Sequence, residues 1–311
     1  MPERRPHTAA APPGRLPSLP LSLAAGALRS PFTRRPAPEV GAPPGGWLVV
    51  PGVRIDPARL AAYARVCGFP AEGPVPLPYP HVLAFPLALR LMAARDFPLP
   101  LLGLVHTRIE VAGHRHLRPA EPLELAVRAE GFAPHRRGTE ATVVTEARVG
   151  GEPVWESRSG YLARHGRPTG AGRDTPEPPA GAPTTGPGCE DPAPATGPLP
   201  ARAVWRLGPG LGRRYGRVSG DLNPIHLHPL TARPFGFRRP IAHGMWTFAR
   251  CLAESLPPYA SGAVQAEAEF KTPVPLPSTV THVAGAGSFA LLDEKNRPHC
   301  HGSFQPMDPL S

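Results

Sequence analysis

The stretch Ser219-Gly-Asp-Leu-Asn-Pro-Ile-His226 sets a carboxylate and an imidazole a few positions apart. Asn223-Pro224 between them favours a tight turn, and a turn can aim both side chains at one point. Histidine titrates near neutrality, and partial burial can raise an aspartate towards it. Asp221 and His226 could therefore pass protons to and from one shared molecule, which is general acid–base chemistry. Asn223 can hold a neighbour in place without competing as a base. Further on, His243-Gly244 stands at the start of a helical pattern, where unpaired N–H groups and the positive dipole end gather. Glycine there allows a ligand to approach closely. Taken singly, these residues have plainer readings: a turn before a helix, surface or core histidines (His226, His228), a packed Tyr215. Ser219 has no acid–base partner spaced for a nucleophile and reads as a loop hydrogen-bonder.

These residues need a scaffold, and the chain carries it twice. Tyr63-Ala-Arg-Val-Cys-Gly matches Tyr215-Gly-Arg-Val-Ser-Gly, and Pro78-Tyr-Pro-His81 matches Pro240-Ile-Ala-His243. Between these points the first copy is about ten residues shorter, and the missing part is the region that holds Asn223 to Pro229. Ile241, Met245, Phe248 and Leu252 share one helical face, ended by Pro257. Leu83, Leu87, Leu91 and Ala94 do the same in the first copy, with Pro86 expected near the first turn, where proline is tolerated. Strand-like runs follow each helix, so each copy reads as an antiparallel sheet wrapped round a long helix. In the first copy Phe69 stands where the second has Asp221, and no Asn-Pro-x-His follows. His81 without a carboxylate cannot perform both proton transfers, so this copy is expected to be non-catalytic.

Composition bounds the rest. The 311 residues suffice for two domains, and the 48 prolines and 33 glycines point to long irregular segments. Residues 1–45 read as a disordered Pro/Arg-rich tail and 166–198 as a Pro/Gly-rich linker, leaving folded blocks at 46–165 and 199–306. The net charge of +10 favours anionic partners. Without a Lys/Arg-rich helix or an aromatic-interleaved basic stripe, nucleic acid is not expected. Cys67, Cys189, Cys251 and Cys300 show no metal spacing and read as free thiols in a reducing cytoplasm. The Cys300 segment, flanked by His299 and His301, reads as a half-buried strand in preference to a metal site. No run approaches a membrane span, and Leu21–Leu28 reads as a local helix or tail segment in preference to a signal peptide.

The joint pattern Tyr-x-x-x-Ser-Gly-Asp-x-Asn-Pro-x-His, then Gly-Phe and Pro-x-x-His-Gly, resembles the hydratase-2 motif of the MaoC-like dehydratases, which are (R)-specific enoyl-thioester hydratases. Tyr215, Ser219, Gly220, Asp221, Asn223, Pro224, His226, Gly236, Phe237, Pro240, His243 and Gly244 carry it. The resemblance implies an α+β double hot-dog fold whose N-terminal copy has lost the catalytic loop. It implies reversible hydration of trans-2-enoyl thioesters to (R)-3-hydroxyacyl thioesters. Asp221 and His226 would share the catalytic water, and the Gly244 N–H would serve the oxyanion. No metal or cofactor is implied; the acyl group arrives on coenzyme A or acyl carrier protein.

Arg238 and Arg239 could meet phosphate or a carrier surface, or form a solvated basic turn. Lys271 resembles the family's Phe-Lys/Arg-x-Pro segment near the thioester carrier. The apolar run Val82–Ala94 could line an acyl tunnel or fill its own core. A hot-dog thioesterase is a competing reading, but the helix after Gly244 offers only the late Glu254 as carboxylate. A non-enzymatic acyl-binding subunit is another, opposed by the intact loop. A homodimer is compatible with either.

Overall fold

The computed structural model describes residues 9–10, 14, 16, 45–164, 199–256 and 263–307. Most of the expected tail, including Leu21–Leu28, lies outside these residues, as do the expected linker and Cys189. One piece of the tail departs from the expectation of disorder. Ala9–Ala10 (β1) pairs in parallel with Leu48–Val49 of β2 (Leu48–Val53), and Gly14 N donates to Pro51 O at 2.8 Å.

Asp56 starts the first helix: its carboxylate accepts from Ala58 N at 2.9 Å, and Pro57 takes the first helical position. This helix, α1 (Pro57–Cys67), ends at Gly68 in the left-handed conformation, φ 83°. The central helix α2 (Tyr79–Met92) follows, buried along nearly its whole length. Pro86 is its eighth residue, in the helix interior and not near the first turn, and Ala94 lies beyond its end. A mid-helix proline removes one N–H. Packing of α2 into the first half's core, with Leu83, Leu87 and Leu91 all buried, holds the helix through it. Four strands complete this half: β3 (Val105–Gly113), β4 (Leu123–His135), β5 (Gly138–Val149) and β6 (Glu152–Arg164).

The second half repeats the order. After β7 (Ala201–Leu207), α3 (Leu211–Ser219) ends at Gly220 with the same φ of 83° as its counterpart. A short 3-10 turn (Pro224–His226) and the single turn α4 (Pro229–Ala232) lead to α5 (Gly244–Ser255). The strands β8 (Ala263–Phe270), β9 (Ser278–Gly285), β10 (Ser288–Leu292) and β11 (Pro298–Met307) follow. Within this half β9 and β10 form a hairpin, with Ser288 opposite Gly285.

The eleven strands of the described residues form one sheet, ordered β1-β2-β4-β5-β6-β3-β8-β11-β10-β9-β7. Read inward from each edge, β2-β4-β5-β6-β3 has the same plan as β7-β9-β10-β11-β8. The halves join where β3 pairs antiparallel with β8, from Arg108 opposite Glu269 to Gly113 opposite Val264. Tyr63 and Tyr215, equivalent residues of α1 and α3, meet at the junction with ring centroids 6.2 Å apart. The architecture is α+β and double hot-dog. Among the described residues no helix is long and apolar enough to cross a membrane.

Candidate active site

The loop after α3 is built by consecutive side-chain-to-backbone bonds. Ser219 Oγ accepts from Asp221 N (3.1 Å), Asp221 Oδ1 from Asn223 N (3.1 Å), and Asn223 Oδ1 from Ile225 N (3.4 Å). Each short polar side chain satisfies the backbone two residues on, which is how such residues stabilise turns. Ser219 is thus a loop-former, and Asn223 caps the 3-10 turn that carries His226. The loop folds back tightly on α3. A Cβ at Gly212 would collide with the carbonyl of His226, and one at Gly216 would lie 2.9 Å from Asp221 O.

His226 is buried, and its Nδ1 lies 2.8 Å from Ile241 O. A carbonyl only accepts, so the ring proton sits on Nδ1, leaving Nε2 as a lone-pair acceptor in the neutral ring. Burial lowers the pKa of His226, partly countered by the Asp221 charge and the Ile241 bond. His243 caps α5 through its backbone, while its Nε2–H donates to Asp221 O at 3.0 Å. The same nitrogen lies 3.8 Å from Asp221 Oδ2. Burial, then the neighbouring His226, holds His243 well below the ordinary histidine range. Tyr215, fully buried, tilts its ring against His243 at 4.9 Å, a packing role.

Asp221, His226 and His243 each bring a donor or acceptor atom within 4.8 Å of the others. These are also metal-ligating residue types. The His243 nitrogen facing Asp221 carries its proton, however, which suits hydrogen-bond donation and not ligation. Gly244 opens α5 beside them, its N–H having no carbonyl one turn back. The Phe270 ring closes this side, 3.1 Å from where a Gly244 Cβ would be.

These groups line a cavity of about 360 Å³ shared by both halves. The first half supplies the facing wall: His81, His106 and Tyr161, the last two stacked at 4.7 Å. Burial holds His81 at about 4 despite the Asp221 charge. Val82, Phe85, Leu89 and Met92 of α2, with Leu101 and Leu104, continue the cavity as an apolar pouch. Phe69, in place of the second copy's aspartate, is partly buried and stacks on Tyr63 at 6.4 Å. The facing wall therefore has no counterpart of Asp221 at that position.

The basic groups fall differently from the sequence expectation. Arg238 and Arg239 are exposed and do not line the cavity. Lys271 lines it but pairs with Glu269. Glu254 pairs with Arg250 at 3.0 Å, away from the cavity. The sequence reading missed His243 as a ring that contacts Asp221, and missed the facing wall. The Pro-x-x-His-Gly signal was available for the first. For the second, only the topology joins residues so far apart in the chain.

A MaoC like domain profile matches residues 183–288. The chain is 36% identical over 236 residues to 3-hydroxyacyl-thioester dehydratase X of Mycobacterium tuberculosis, spanning 76% of this chain and 79% of that protein. The crystal structure of that organism's HtdX superposes with a TM-score of 0.70 at 32% identity, covering 84% of this chain and 100% of the other. The (R)-specific enoyl-CoA hydratase of Aeromonas caviae is 36% identical over 84 residues, 26% of this chain and 63% of that protein. A MaoC-like dehydratase from Phytophthora capsici shares the fold, with a TM-score of 0.60 at 18% identity, covering 89% of this chain and 100% of the other. A shared sequence across most of a dehydratase's length, a shared fold and a matching loop lead to one conclusion: the chain belongs to the MaoC-like dehydratase family.

Proposed function

We propose that the protein catalyses the reversible hydration of trans-2-enoyl thioesters to (R)-3-hydroxyacyl thioesters. The observation that carries this reading is the clustering of the half-buried Asp221 carboxylate with the buried His226 and His243 rings, one donor or acceptor atom of each within 4.8 Å of the others, beside the start of α5. Two acceptors can take both hydrogens of one water, leaving an oxygen lone pair free for the β-carbon. As the C–O bond forms, a water proton passes to the Asp221–His226 pair, and the pair delivers a proton to the α-carbon. The pair returns to its starting state each turnover. Electron density pushed onto the thioester oxygen would be met by the Gly244 N–H. One such donor is worth about 2.7–4 kcal/mol in the transition state. His243 fixes Asp221 through its backbone carbonyl and Asn223 N engages Oδ1, which leaves Oδ2 as the oxygen to meet water.

The acyl chain would run into the pouch along α2, and its carrier, coenzyme A or acyl carrier protein, would stay outside. The three described cysteines are free and buried, in keeping with a cytoplasmic setting. A thioesterase would need a hydrolytic carboxylate on α5, and Glu254 does not reach the cavity. The test is product analysis after incubation with trans-2-enoyl-CoA. Formation of the (R)-3-hydroxyacyl thioester without free-thiol release is expected. Thiol release, or binding without turnover, would favour the other two readings.

A further inference from the structure

On the thioester reading, the phosphate-bearing end of the substrate needs a partner, and Arg238 and Arg239 do not line the cavity. Three exposed basic residues on its wall come from the other half: Arg136, Arg137 and Arg164. Arg136 and Arg137 form the turn between β4 and β5. Arg164 ends β6 beside that turn, with Gly138 opposite it in register. Three guanidinium groups are thus gathered from two chain segments.

The other cations on this wall have carboxylate partners: Arg108 pairs with Glu110 and Glu140, and Lys271 with Glu269. Among the described residues, no ion pair is formed by Arg136, Arg137 or Arg164. Arg137 and Arg164 also press on one another. Burial and then the Arg137 charge hold Arg164 below the usual arginine range. The Arg164 guanidinium lies over the Phe237 ring at 5.5 Å, which orients it without neutralising it. Crowded cations without carboxylates, placed at the entrance of a buried site, fit an anion that arrives with the substrate. A guanidinium fork matches phosphate oxygens in particular.

We propose that Arg136, Arg137 and Arg164 bind phosphate groups on the pantetheine-linked carrier of the acyl thioester. The half without a catalytic loop thereby holds the carrier while the other half performs the chemistry.

The experiment uses one enoyl group on three carriers: pantetheine, 4′-phosphopantetheine and coenzyme A. Wild type is compared with Arg137→Gln/Arg164→Gln, and Arg238→Gln/Arg239→Gln serves as control. KM for the phosphorylated thioesters should rise about tenfold per arginine removed. KM for the pantetheine thioester, and kcat throughout, should stay unchanged in both variants. A rise for both phosphorylated thioesters assigns the shared 4′-phosphate, and a rise for coenzyme A alone assigns its nucleotide phosphates. Equal changes for all three carriers, or no change, would overturn the proposal. Calorimetric titration with coenzyme A needs no turnover. If wild type hydrates nothing, the hydratase reading fails, and weaker coenzyme A binding by the variant would still uphold the anion site.

Discussion

His226 and His243 lie face to face, ring centroids 3.6 Å apart and planes 24° from parallel. Burial keeps both below the ordinary histidine range, so both are neutral at pH 7. Protonating His226 would remove the Nε2 lone pair that receives a water hydrogen. kcat/KM should therefore hold down through the ordinary histidine pKa of 6.5 and fall only below it. A pH–rate profile checks this, and an acid limb centred above that value would contradict it.

Stability should show the same sign. These histidines have folded pKa values depressed below their unfolded ones, so the unfolded chain binds more protons as pH falls. Their contribution is complete above pH 6.5 and drains as pH drops towards the folded values. His81, held at about 4, should alone account for up to about 3 kcal/mol of that loss. Denaturant titrations between neutral pH and the folded value would show the decline, and a flat response would count against buried neutral rings.

Gly212 marks the closest approach of α3 to the loop. Gly212→Ala drives a methyl group against the His226 carbonyl. Loss of about 1–3 kcal/mol of stability is expected from the overpacking. A kcat loss of about a hundredfold should accompany it, since small misplacement of reacting groups has that scale. Melting curves beside steady-state kinetics measure both.

Arg59 of α1 donates to Val218 O at 2.8 Å and Ser219 O at 3.1 Å, the last carbonyls before the catalytic loop. It is a positioning residue, acting on Asp221 from the non-catalytic half. Arg59→Ala should lower kcat about tenfold with KM little changed, because charged hydrogen bonds contribute about 1.5–3 kcal/mol. Arg59→Lys should restore part of the rate. A loss in KM alone would assign Arg59 to substrate binding.

Leu89 lines the apolar pouch on α2. Leu89→Trp should shorten the longest enoyl chain turned over while sparing the four-carbon substrate. Kinetics across a chain-length series tests this; uniform loss at every length would show that the acyl chain lies elsewhere.

The loop was legible in the sequence because its chemistry is local. Asp221, Asn223 and His226 sit within one turn, and their side chains bond the backbone two residues away. The repeat was legible because Tyr63 and Tyr215 each precede a helix-ending glycine in the same conformation. Other features depended on the sheet. The strands β2 and β7 precede the helices, where the sequence reading placed no strand. The basic mouth came from Arg136, Arg137 and Arg164 because β3 and β8 join the halves, and that pairing carries no mark in either segment. Adjacency to Gly244 in the chain had pointed to Arg238 and Arg239, but that turn faces solvent.

The most direct measurement is ultraviolet absorbance of a medium-chain trans-2-enoyl-CoA mixed with wild type and with Asp221→Asn. Wild type should remove the enoyl band, and the variant should do so at a rate lower by about 10²–10⁴, the scale of positioned acid–base catalysis. Equal rates with both proteins would contradict it, because the carboxylate that meets His226 would then have no part in moving the proton.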